Sequence, residues 1–173
     1  LILDDLNAVI EHYKTAPNQK VFLFGHSWGG MLATAFINKN PNKITGAILA
    51  EAGGLKWGET KEYLEKTKKI ELFSEATNDV LYLDQFLTGT KKQHEVLDYK
   101  SAIQSSFSYA GGNVEGIEAS SPFWRYGAVS LISLTEVAEK DNFDFTTNLN
   151  QFQKNVLILF SENNKAFGSS YAQ

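Results

Sequence analysis

Apolar positions change spacing several times along the chain. In residues 1–13, Ile2, Leu6, Val9, Ile10 and Tyr13 recur at helical intervals, with Asp4, Asp5, Asn7 and Glu11 between them. This predicts an amphipathic helix, ended by Pro17-Asn18. Val21-Phe22-Leu23-Phe24 follows without alternation, as in a parallel strand buried on both faces. Gly29 to Asn38 reads as a second helix, stopped by Asn40-Pro41-Asn42, and Ile44 to Ala50 as a second buried strand before Gly53-Gly54. Short links between alternating helices and strands predict an α/β fold. Beyond Gly54 the pattern becomes helical, with helices expected at 59–77, 91–109 and 123–140. A loop is expected to open at Gly111-Gly112-Asn113 and run to Ser121-Pro122. Val156 to Phe160 then returns as a third buried strand.

The expected organisation is therefore a parallel core at 1–54, a mostly helical insertion at 55–150, and a return to the core at 151–173. Charge separates these parts. The insertion holds ten basic and fifteen acidic residues, so the whole chain's net charge of −4 comes from it. The two core helices belong to successive right-handed crossovers and should lie on one face of the sheet. The other face, and the edge at Val21–Phe24, should stay bare in these residues alone.

Composition removes several function classes. Of the 173 residues, 43% are apolar and 21% charged, as in a globular chain. Arg125 is the only arginine in an acidic chain, which disfavours nucleic-acid binding. The apolar runs are far shorter than the roughly 20 residues needed to span a bilayer. The chain has no cysteine, hence no disulfide and no thiolate zinc site. No ligand cluster or phosphate loop suggests a metal, flavin or nucleotide, so no cofactor is expected; the expected partner is a small-molecule or short-peptide substrate.

The chemistry centres on Gly25-His26-Ser27-Trp28-Gly29, a G-x-S-x-G between an apolar strand and a helix. That context suits a nucleophile turn, with the Ser27 hydroxyl projecting from a strained backbone. Side chains at the two motif glycines, Gly25 and Gly29, should collide as the strand folds back into the helix. The Trp28 amide, at the helix N-terminus, would face a developing oxyanion. His26 is expected to turn away into packing, with contact to substrate as the alternative. His12 reads as a residue near the polar face of the first helix, and His94 as a solvated residue.

Phe24-Gly25-His26-Ser27-Trp28-Gly29-Gly30-Met31-Leu32-Ala33 resembles the nucleophile elbow of α/β-hydrolases, specifically the proline iminopeptidase-like branch. Residues 40–50 resemble the following loop and strand. The resemblance implies a partial α/β-hydrolase core with an inserted cap domain and a triad ordered Ser, acid, His. It also implies that the general base is a histidine beyond Gln173. The chain begins at Leu1, and its one methionine is Met31. It is therefore expected to be a fragment, inactive alone.

The acid has several candidates. The position that matches the family's usual Asp is Asn164, which cannot stabilise an imidazolium as a carboxylate does. Glu51 follows the strand beside the nucleophile strand, where some haloalkane dehalogenases resemble it in carrying their acid. Glu162 is the other candidate, and Glu51 is the preferred one. Substrate contacts could come from Trp57, where the chain leaves the core with Glu59, and from Trp124, Arg125 and Tyr126. The same aromatics could equally pack between cap helices. Arg125 could bind a carboxylate or pair with a neighbouring acid.

These residues suggest a serine hydrolase working through an acyl-enzyme, by resemblance an aminopeptidase on small peptides or amino-acid amides. A carboxylesterase or lactonase would use the same groups. A binding protein on a hydrolase fold, suggested by Asn164 in place of the acid, is the reading of another class.

Overall fold

The structure, a computed structural model, describes residues 1–67, 76, 80, 83, 89, 92–98 and 127–160. Within them the chain runs α1 (Ile2–Tyr13), β1 (Phe22–His26), α2 (Trp28–Lys39), β2 (Gly46–Ala50), α3 (Trp57–Thr67), α4 (Ala128–Asp141), a 3-10 turn (Leu149–Gln151) and β3 (Val156–Leu159). The strands form one parallel sheet in the order β1-β2-β3. This is the parallel α/β core that the sequence predicts. Phe24 pairs with Ile48, and Ile48 with Leu157. All three strands end level, with His26 opposite Ala50 and Ala50 opposite Leu159.

One core cluster explains why α1 and α2 share a face. Ile10 of α1, Ala33, Phe36 and Ile37 of α2, and Ala47 and Leu49 of β2 pack together, with Leu23 of β1 against them. Phe36 is fully buried. In α1 the inward stripe is Leu3, Leu6 and Ile10, while Val9 and Tyr13 are exposed. The expected stripe was thus rotated: spacings of three and four from Leu3 define the face that meets α2. Lys39 pairs with Asp4, and Lys43 with Glu11, across the rim of these helices.

Because side chains alternate along a strand, Phe22 and Phe24 share the opposite face with Ile48, Leu157 and Leu159. Phe22 and Phe24 are 63% and 69% exposed, and all four residues of β3 are exposed, so β3 is not the buried strand expected. Among the described residues this face is bare and β1 pairs on one side only.

Several element bounds differ from the sequence expectation: β1 runs on to His26, and α2 and α3 start earlier, at Trp28 and Trp57. β2 starts at Gly46, because the chain bends at Ile44-Thr45. There the Thr45 amide bonds the Val21 carbonyl at 2.7 Å and Ile44 turns into the core, 1% exposed. β3 stops at Leu159, one residue before Phe160. The helix expected at 123–140 starts at Ala128, since Gly127 adopts a left-handed φ of 65°. The Asp98 carboxylate accepts from the Ala128 amide at 2.7 Å and satisfies one of that helix's orphan donors.

The chain divides into two compact units, with boundaries after Thr60 and after Asn142. In the first unit, residues 55–57 and 143–145 run side by side as a short antiparallel stem. Lys56 bridges Asp144, the Trp57 amide bonds the Phe143 carbonyl, and the Phe145 amide bonds the Leu55 carbonyl. Residues 143–150, expected in the insertion, lie in the first unit. In the second unit, residues 93–98 are helical, and α4 exposes Val129, Leu131, Ile132, Leu134 and Val137.

Candidate active site

The level strand ends place Ser27 and Glu51 next to each other along the carboxyl edge of the sheet. Each follows one member of the last registered pair, His26 and Ala50. The ladder extends one step past the strands: the Ser27 amide bonds the Ala50 carbonyl at 2.9 Å, and the Glu51 amide bonds the Leu159 carbonyl at 2.8 Å. Both residues then turn through the region that non-glycine residues avoid, Ser27 at φ 52° and Glu51 at φ 48°. Such conformations cost on the order of 1–3 kcal/mol each and persist where surrounding contacts enforce them.

The enforcing contacts at Ser27 come from close approach of α2. A Cβ on Gly25 would lie 2.2 Å from the Gly29 carbonyl oxygen and 2.6 Å from the Gly30 nitrogen. A Cβ on Gly30 would lie 2.7 Å from the Ala52 Cβ. The helix start is thus pressed against β1 at Gly25 and against the chain leaving β2 at Ala52. At Gly29 the expectation of a collision is wrong: a Cβ there meets nothing within 4 Å. The turn needs glycine at Gly25 and Gly30, because Gly29 lies on a side of α2 that touches neither neighbour. The doubled glycine Gly29-Gly30 was the only trace of this in the sequence.

Ser27 is the N-cap of α2 and is exposed. Its carbonyl accepts from the Gly30 amide at 2.9 Å and the Met31 amide at 3.3 Å. Among the described residues the Trp28 amide has no hydrogen-bond partner, as befits the first residue of a helix. A free N–H there and the positive end of α2 can stabilise an anion beside Ser27.

The other candidates fall in different places. His26 is exposed on the face of Phe22 and Phe24, so it does not pack into the turn as expected. The alternation of β1 sends it to the face that α1 and α2 leave bare. His12 and His94 are exposed, and among the described residues no hydrogen bond joins Ser27 to any histidine. Trp57 is 7% exposed, its ring set edge-on to Phe143 at 6.2 Å, so it packs the stem. Glu59 accepts from the Leu55 and Lys56 amides at 3.0 and 3.2 Å and thereby caps α3. Phe143 and Phe145, stacked at 4.4 Å, complete the stem and were not foreseen. Glu162, Asn164, Trp124, Arg125 and Tyr126 lie outside the described residues.

Asp144 of the stem accepts from the Thr146 hydroxyl and, at 2.7 Å, from its amide. The Thr146 hydroxyl, then its amide, hold this carboxyl below the usual aspartate range, with a smaller contribution from Lys56. Among the described residues, no group of three His, Asp or Glu side chains could hold a metal ion. No described helix is long and apolar enough to cross a membrane.

A family model described as serine aminopeptidase, S33, matches residues 1–104. Searches of curated proteins and of solved structures found no match. The matched segment spans the elbow, both flanking strands and more than half of the 173 residues. With its parallel sheet and strand-turn-helix, the chain belongs to the S33 serine aminopeptidase family and is a hydrolase of the α/β-hydrolase type.

Proposed function

We propose that this hydrolase uses Ser27 as nucleophile and works through an acyl-enzyme, as an aminopeptidase of proline iminopeptidase type on small peptides or amino-acid amides. The observation that carries the reading is the backbone of Ser27. An exposed serine at φ 52° between a strand end and a helix N-terminus has a reason to be strained if its hydroxyl must be presented to substrate. The Ser27 oxygen attacks the substrate carbonyl while a histidine, none of His12, His26 and His94, takes its proton. The Trp28 amide holds the oxyanion. Collapse of the tetrahedral intermediate expels the amine, which receives that proton, and water then releases the acid by the same route in reverse.

Glu51 is the acid of this reading. It follows the strand beside the nucleophile strand, and its φ of 48° repeats the strain seen at Ser27. A carboxylate there would orient the histidine and stabilise its protonated form.

The test is turnover by the full-length protein of aminoacyl amides, prolyl amide included, against N-acetylated amides and esters of the same acyl group. Hydrolysis that requires the free amine and disappears in Ser27→Ala supports the reading. Turnover of esters alone would move the enzyme to the carboxylesterases, and amide turnover that survives Ser27→Ala would remove Ser27 from the chemistry.

A further inference from the structure

The two strained residues at the sheet edge are held alike on their amide sides, where the ladder fixes Ser27 to the Ala50 carbonyl and Glu51 to the Leu159 carbonyl. Their carboxyl sides converge on Gly30. The Gly30 amide donates to the Ser27 carbonyl at 2.9 Å. Ala52, the residue after Glu51, lies where a side chain on Gly30 would go: a Cβ there would be 2.7 Å from the Ala52 Cβ and 3.0 Å from its Cα. Neither partner yields easily. Gly30 is buried, its carbonyl accepts from the buried Thr34 hydroxyl at 2.9 Å, and Ala52 packs against the core cluster. The φ of Gly30 lies outside the left-handed region, so close approach, not backbone conformation, demands glycine here.

We propose that Gly30 is a positioning residue for the reaction: through its contact with Ala52 it sets the separation of Glu51 from Ser27. The inference rests on Ser27 as nucleophile and Glu51 as acid. A methyl at position 30 wedges the first turn of α2 away from the chain leaving β2, and Glu51, bonded to Ala52, moves with that chain. The carboxylate is then displaced from the histidine that it orients, while the Ser27 oxygen and the Trp28 amide stay on one turn. Displacement of a supporting group by about 1 Å is enough to slow a reaction about a hundredfold.

The test is the rate at which a fluorophosphonate labels Ser27 in the full-length protein, in Gly30→Ala, in Glu51→Gln and in the two combined. Gly30→Ala should slow labelling about tenfold or more. It should also shift the pH midpoint of labelling in the same direction as Glu51→Gln does. In the Glu51→Gln background, Gly30→Ala should slow labelling less than about threefold further, because residues acting through one another are not additive. Adding Ala52→Gly to Gly30→Ala leaves a single methyl between the two chains and should restore most of the lost rate. Labelling of Gly30→Ala at the wild-type rate, or equal slowing with and without the Glu51 carboxylate, would overturn the proposal. So would a Gly30→Ala/Ala52→Gly variant that stays slow or does not fold, whether or not Gly30→Ala alone folds. Failure of the underlying reading looks different and takes the proposal with it: wild type is not labelled at Ser27, or Glu51→Gln labels as fast as wild type.

Discussion

At the turn from β1 into α2, the chain holds Ser27 at φ 52° and leaves the Trp28 amide without a partner among the described residues. At the stem of residues 55–57 and 143–145, the same unit is built the opposite way. The Trp57 and Phe145 amides are paired, Glu59 caps the helix that follows, and three aromatic rings pack in succession. The strained serine beside an unpartnered amide is what the proposed nucleophile rests on. Satisfied groups mark a place that only holds the chain together. Glu51, at φ 48°, shares the backbone strain of the first region although it lies outside the G-x-S-x-G motif, and its amide is paired with the Leu159 carbonyl.

The largest effect that could break this comparison concerns Glu51. Glu51→Gln should lower kcat about 10⁴-fold, as loss of the orienting acid does in a Ser-His-Asp triad. Glu51→Gly should lose activity similarly, because it removes the same carboxylate while glycine accepts the left-handed backbone. Full activity in either variant would place Glu51 with the structural residues.

Next in size is Trp57, which the sequence offered as a substrate contact. Trp57→Ala should cost about 3–5 kcal/mol in denaturant melts, the usual toll of emptying a buried aromatic site. The folded fraction should keep its wild-type KM; a raised KM without loss of stability would return Trp57 to the pocket.

Gly25→Ala sharpens the view of the elbow. A methyl 2.2 Å from a backbone oxygen forces β1 and α2 apart. Overpacking of that severity costs about 3 kcal/mol, and thermal melting should show it. A wild-type melting temperature would mean that the helix does not press on the strand.

The smallest effect sits at the stem. The folded pKa of Asp144 lies below its unfolded value, so its contribution to stability is complete above the ordinary aspartate pKa. It is lost as pH falls through the lowered one. Carbon-13 titration should find its midpoint below that of a free aspartate, and Thr146→Ala should move it upward. A midpoint at the unfolded value would show the Thr146 hydroxyl bond to be absent in solution.

How much of this could be read in the chain follows from where each signal resides. Val21–Phe24 and Gly25-His26-Ser27-Trp28-Gly29 announce strand, turn and helix within ten residues, so the elbow and its serine were legible. The level ending of β1 and β2, which sets Glu51 beside Ser27, could be guessed only from strand order. The stem was invisible, because Leu55 and Phe145 are distant in sequence and an antiparallel bridge leaves no local period. Trp57 misled for that reason: its partner, Phe143, sits across the stem. Gly29 and Gly30 look alike in sequence, and only the position of Ala52 separates them.

The most direct test of the central claim is peptide mapping of the full-length protein after fluorophosphonate labelling. The account predicts one adduct, on the Ser27 oxygen of the peptide containing Gly25-His26-Ser27-Trp28, and none in Ser27→Ala. An adduct on any other residue, or labelling that persists in Ser27→Ala, would contradict it.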